Sequence, residues 1–212
     1  MHKLERSSAP ECLSQYSPEK DRWKSVTPEN RAQIREQLNA MQQQRCAYCE
    51  NSTAGNNAQH IEHFRQRSEY PQGTFEWKNL FGSCNRNHSC GKHKDSLAGQ
   101  YNYQDIIKPD EEDPDHFFCF TQHGTIEIRQ HLSERDRHRA SETLRIFNLD
   151  AQHGPLRSMR KSTLQGYLQT AEEFAAMAEQ FEEKEWRPLL EEELYRIKDL
   201  PFATAIKHLL MV

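Results

Sequence analysis

The sequence predicts an α+β fold organised around bound metal, and three observations carry that expectation. Four cysteines fall in two pairs, Cys46/Cys49 and Cys84/Cys90, inside a segment rich in Asn, Ser and His. Short apolar runs at 58–64 and 80–83 flank that segment's long loop and are too brief for helices. From Ser133 onward, apolar residues recur at helical spacing almost to the end of the chain. The chain divides accordingly into a lead-in with a helix (1–44), a metal-built core (45–100), a connecting segment with a β-hairpin (101–132) and a helical region (133–212).

The lead-in is broken by Pro10 and Pro18 and turns helical after Thr27-Pro28, a polar N-cap followed by proline at the first helical position. Ala32, Leu38 and Met41 continue a period near 3.6, so a helix from about Pro28 to Gln44 delivers the chain to Cys46. In the core, Ala58–Phe64 and Leu80–Ser83 read as two facing strands with a loop from Arg65 to Asn79, and Cys90–Leu97 opens a short helix. Phe117–Phe120 and Thr125–Ile128 read as a hairpin turned at His123-Gly124. Leu144, Phe147 and Leu149 close one helix near Asn148. Leu164, Tyr167, Leu168, Ala171, Phe174, Ala175 and Ala178 mark a second; Leu189, Leu190, Leu194 and Ile197 mark a third; a last short helix, Phe202–Leu210, follows Pro201. The Glu182-Glu183 and Glu191-Glu192-Glu193 runs read as solvated helix faces.

With 212 residues, 35% of them hydrophobic, the chain can bury a core without disulfides. No apolar run approaches the roughly 18 to 20 residues that span a bilayer, and Met1–Pro10 lacks the apolar block of a secretory signal, so a cytoplasmic, membrane-free protein is expected. In a reducing compartment cysteines serve as ligands more often than as disulfides; Cys12 and Cys119 stand apart and read as small buried hydrophobes. Net charge is −4, which argues against gripping nucleic acid by bulk electrostatics. The charge is unevenly spread: residues 101–212 hold 14 Lys and Arg against 21 Asp and Glu, whereas residues 45–100 hold 7 against 5. A polyanion would meet the cysteine segment first.

Four thiolates in a C-x2-C and a C-x5-C pair suit a tetrahedral structural Zn2+. The second pair is loose, and His88 inside it stands as a rival ligand. Between the pairs lies His60-Ile61-Glu62-His63. Hydrolysis of a phosphodiester needs a group to hold a divalent ion and a neutral imidazole to take a proton from water, and Glu62 and His63 supply both types; His93 is a second candidate ligand. On a strand, residues 60 and 62 face one side and 61 and 63 the other. His116, His123 and His131 read as surface or turn residues.

Together Cys46-Ala47-Tyr48-Cys49-Glu50, Ile61-Glu62-His63-Phe64-Arg65, Tyr70-Pro71, Phe75-Glu76-Trp77-Lys78-Asn79-Leu80-Phe81 and Cys90-Gly91-Lys92-His93-Lys94-Asp95 resemble the HNH endonuclease subunit of Septu and retron-associated anti-phage systems. The resemblance covers about 45–97 and implies a ββα-metal nuclease core working with an ABC-type ATPase, and with a retron reverse transcriptase and its RNA-DNA product in some systems. It implies His63 as general base, Glu62 and His93 as ligands of a catalytic Mg2+ or Mn2+ with His60 as an extra ligand, and Asn79 as the residue orienting the base. Arg65 or Lys94 would meet the phosphate. Many members carry Asn or His directly after the last cysteine, where this chain has Gly91. The substrate implied is DNA first, with RNA open. The reading from a different class is a non-catalytic zinc module that binds nucleic acid or a protein partner.

Overall fold

The computed structural model describes residues 1–55 and 58–211. Helix α1 spans Pro28–Gln42, with the Thr27 hydroxyl accepting from the Asn30 amide at 3.2 Å. It ends two residues earlier than expected because Gln43 and Gln44 both turn left-handed. Ile34 and Leu38 on its inner face are fully buried.

Strands β1 (Gln59–His63) and β2 (Leu80–Cys84) pair antiparallel, with His63 opposite Leu80 and Gln59 opposite Cys84. Helix α2, Cys90–Ser96, follows directly, so the expected order of strand, loop, strand, helix is met. A two-stranded ribbon is marginal by itself, and this one is held by α1. The fully buried Gln42 amide accepts from Gly82 N at 2.7 Å and donates to Gly82 O at 2.9 Å. A side chain at Gly82 would lie 2.1 Å from Gln59 Nε2 and 3.1 Å from Gln42 Nε2, so Gln59 would have to turn aside to admit one.

The expected hairpin is present as β3 (Phe118–Phe120) and β4 (Ile126–Ile128), turning through Gly124 at φ +79°. Helix α3, Glu134–Phe147, is capped by Ser133 and stops at left-handed Asn148. The single helix expected through Leu164 and Ala178 is instead two, α4 (Pro155–Gln165) and α5 (Leu168–Gln180). The chain turns at Gly166, a weak helix former, where Gly166 N and Tyr167 N donate to Thr163 O and Leu164 O. That turn lets both Leu164 and Phe174 reach the core. Helices α6 (Glu183–Ile197) and α7 (Ala203–Leu210) complete the chain.

One apolar cluster joins these elements, from Leu4 through Ile34, Tyr48 and Phe81 to Phe147 and Ile206. Tyr48, in the first cysteine pair, stacks on Phe147 of α3 at 3.9 Å and 18°. Each such side chain contributes roughly 1.5–3 kcal/mol by burial. A polar tie runs beside it. Glu50 Oε1 accepts from the Met1 ammonium at 2.6 Å, and Oε2 accepts from the amide and hydroxyl of Thr204 on α7 at 3.0 and 2.9 Å. Burial alone would raise the Glu50 carboxyl, but the ammonium and His2 beside it hold it down at about 2. Among the described residues, no helix is long and apolar enough to cross a membrane.

Candidate metal centre and hydrolytic site

The two cysteine pairs converge. The Sγ atoms of Cys46, Cys49, Cys84 and Cys90 lie within 4.8 Å of one another, all buried, with Cys49 and Cys84 3.9 Å apart. Tetrahedral zinc with Zn–S bonds of about 2.3 Å needs sulfurs about 3.8 Å apart, so this group can hold a structural ion such as Zn2+. No disulfide joins them. Burial pushes the Cys90 thiol up, while thiol hydrogen bonds from its three neighbours outweigh burial and bring Cys46 well down.

The local fold explains the spacing. Cys46 and Cys49 flank a tight turn closed by Glu50 N donating to Cys46 O at 3.0 Å, with Glu50 left-handed at φ +62°. Cys84 ends β2 and Cys90 begins α2, so the five residues between them are the turn from strand to helix. His88 in that turn is exposed and stands outside the cluster, which leaves Cys90 as the fourth sulfur.

Glu62 and His63 leave β1 on opposite faces. Nε2–H of His63 donates to the Thr74 carbonyl at 3.0 Å, since a carbonyl can only accept; Nδ1 is therefore the unprotonated nitrogen of the neutral ring. Burial is the main force that lowers its pKa to about 4, with Arg67 and Lys94 adding to it against the Thr74 bond. Trp23 packs edge-on against the imidazole at 4.6 Å. Asn79, buried just before β2, organises the loop that carries Thr74. Its Oδ1 accepts from Arg65 N at 2.8 Å, and its Nδ2 donates to Arg65 O at 3.2 Å and Gly73 O at 3.0 Å. One amide thus fixes the carbonyl adjacent to the one that orients His63.

Glu62, 1% exposed, meets a different set of groups. Oε2 lies 3.3 Å from His60 Nε2, and Oε1 lies 2.7 Å from the Lys94 ammonium. Lys94 also donates to Asp95 Oδ1 at 2.6 Å and to the His63 carbonyl at 3.0 Å. Burial opposes its charge, but Glu62, Tyr101 and Asp95 raise the ammonium's pKa above the usual lysine range. Lys94 is therefore a correction to the expected phosphate contact: its side chain is wholly buried and its charge is spent on Glu62 and Asp95. Gly91 also finds its explanation here, since a side chain there would lie 2.3 Å from Glu62 Oε2.

His93, expected as a ligand, donates Nδ1–H to the Ile146 carbonyl of α3 at 2.8 Å, which fixes the ring and leaves Nε2 as its unprotonated nitrogen when neutral; its ring is not gathered with Glu62 and His60 into one close group. His60 itself is half-buried, with Nδ1 3.0 Å from Asn85 Oδ1. The catalytic ion implied by the resemblance thus has two converging donors, His60 and Glu62, and a protein ammonium beside the same carboxylate. With His93 they do not form a group of three ligand atoms within 4.8 Å of one another. Among the described residues, the converging group of three or more such side chains is the four cysteines.

Arg65, at the start of the loop, was expected to meet phosphate and is half-buried, its guanidinium held between the rings of Tyr70 and Tyr103 at 3.7 and 3.8 Å. Sequence reasoning missed both tyrosines as partners of Arg65, because Tyr103 arrives from a segment nearly forty residues further on. It also missed Trp23 and Glu50; only the position of Glu50 directly after a cysteine knuckle marked it. No family model matches the chain, and no curated protein matches it.

Proposed function

We propose that this chain is a zinc-stabilised nuclease that hydrolyses nucleic-acid phosphodiesters with His63 as general base. The observation that carries the reading is the Asn79–loop–His63 arrangement: a neutral imidazole with one nitrogen anchored to Thr74 O and the other unprotonated, held by a loop that a single buried amide fixes. In this reading Nδ1 takes the proton from a water that attacks phosphorus, and the leaving oxygen departs opposite it. Arg65 offsets charge on the phosphate. The four cysteines hold the strands and helix that set these positions. Work beside an ABC-type ATPase in anti-phage defence, alone or with a retron, rests on the resemblance of residues 45–97.

The test is cleavage of DNA and of RNA by the purified chain, alone and with the proteins encoded beside it. Mg2+ or Mn2+ against a divalent-free arm, at fixed zinc content, reads whether an ion joins the reaction; His60 and Glu62 would have to receive it. A second reading is favoured by the Trp23 cover on His63 and the ammonium on Glu62: a zinc module that binds nucleic acid or a partner without cutting. One zinc per chain with no cleavage in any arm would select it.

A further inference from the structure

We propose that Tyr70, Arg65 and Tyr103 form a seat for an unpaired nucleobase and its adjoining phosphate, on the strand that reaches His63; the proposal deepens the nuclease reading and rests on it. The guanidinium is sandwiched between two rings, so its faces are filled and its plane is fixed. Its edges are not used. Among the described residues, Arg65's guanidinium has no hydrogen bond or ion pair, although it lines two adjoining cavities of about 490 and 420 Å³. A planar fork of donors held in place and left unpartnered matches phosphate oxygens.

Two further cations, Lys78 and Arg135, line the second cavity, are exposed, and have no ion pair among the described residues. Glu111 pairs with Lys108 and Glu112 with Arg139, while Glu76, which accepts from the neutral Tyr70 hydroxyl, keeps its charge against Arg65, Lys78 and Arg135. Glu69 lines the first. The second cavity is therefore left with uncompensated positive charge.

Tyr103 supplies the base-binding surface. It is 37% exposed while one ring face rests on Arg65, so part of the side chain is left for a base to meet. A duplex keeps its base faces stacked internally, and only an unpaired base can lie on that ring. The seat is joined to the candidate hydrolytic centre through the main chain of Arg65, two residues after His63 and clamped by Asn79.

The experiment measures binding in the His63→Gln background, which removes cleavage from the readout. Labelled single-stranded DNA and RNA, the same strands with one abasic position, and the matching duplexes are titrated by anisotropy. Variants are Tyr103→Ala, Tyr103→Phe and Arg65→Lys, each checked for zinc content and helicity. A single strand is expected to bind more tightly than its duplex. Tyr103→Ala should lose about tenfold, Tyr103→Phe should keep its affinity, and Arg65→Lys, which keeps the charge but loses the planar fork, should weaken binding while leaving its salt dependence in place. The tighter of the DNA and RNA arms names the source of the base. Duplex binding as tight as single-strand, or unchanged affinity in Tyr103→Ala, overturns the seat, as does no binding at all. If the seat behaves as expected while wild type cuts neither nucleic acid, the nuclease reading fails and the seat stands.

Discussion

At Lys94 the chain places a full positive charge where no water reaches it. The ammonium is balanced by Glu62 and Asp95 and steadied by the His63 carbonyl, and Glu62 in turn occupies the space that Gly91 leaves beside the first turn of α2. Removing one partner of a buried pair leaves the other charge uncompensated, at about 3–5 kcal/mol. Lys94→Met should therefore lower the unfolding free energy by about that amount, and Lys94→Met with Glu62→Gln should recover part of it; urea titrations of the three proteins check both. Such roles are hard to read from sequence. A lysine on a short basic helix resembles a surface phosphate contact until the burial of its neighbour is known, and the Ile146 carbonyl of α3 that orients His93 lies 53 residues further along the chain. The positions of Asn79 and His63 were more legible, because His63 ends β1 and Asn79 directly precedes β2, both marked by the short apolar runs.

At the scale of elements, β1, β2 and α2 were read to within a residue or two at each end, since turn residues bracket them closely. The helical region was read less well. Apolar spacing runs on through Gly166 without a break in period, so periodicity alone merged α4 and α5, and the turn became visible only in the two 3-residue backbone closures there. β1, β2 and α2 are each only five to seven residues long, so an ion held by the cysteine cluster would add to the packing that keeps them in order. Cys46→Ser should lose bound zinc and the cooperative unfolding transition, whereas Cys12→Ser, a buried thiol outside the cluster, should keep both. Zinc content by mass spectrometry together with thermal unfolding decides it. Equal zinc in both proteins would remove the cluster from the account.

Across the whole molecule, the Met1 ammonium, helix α7 and the cysteine turn meet at Glu50, and acid should loosen that junction. His2, lowered to about 4 chiefly by burial, refuses a proton that the unfolded chain accepts below about 6.5, so stability falls as pH drops through that window and is complete above it. Glu50 adds a loss in the same direction at lower pH, because its contribution is present above the ordinary carboxylate range and disappears toward about 2. His2→Gln should flatten the dependence between pH 6.5 and 4 by on the order of 2–3 kcal/mol, read from urea midpoints at matched zinc; an unchanged slope would contradict the burial of that imidazole. In the proposed reading the wider fold holds an oriented, neutral His63 beside a loop that carries Arg65. That claim is tested most directly by single-turnover cleavage of a labelled single strand by wild type and His63→Gln at equal zinc content. The account predicts a loss of about 10²–10⁴-fold with folding and zinc retained, and cleavage by His63→Gln at the wild-type rate would contradict it.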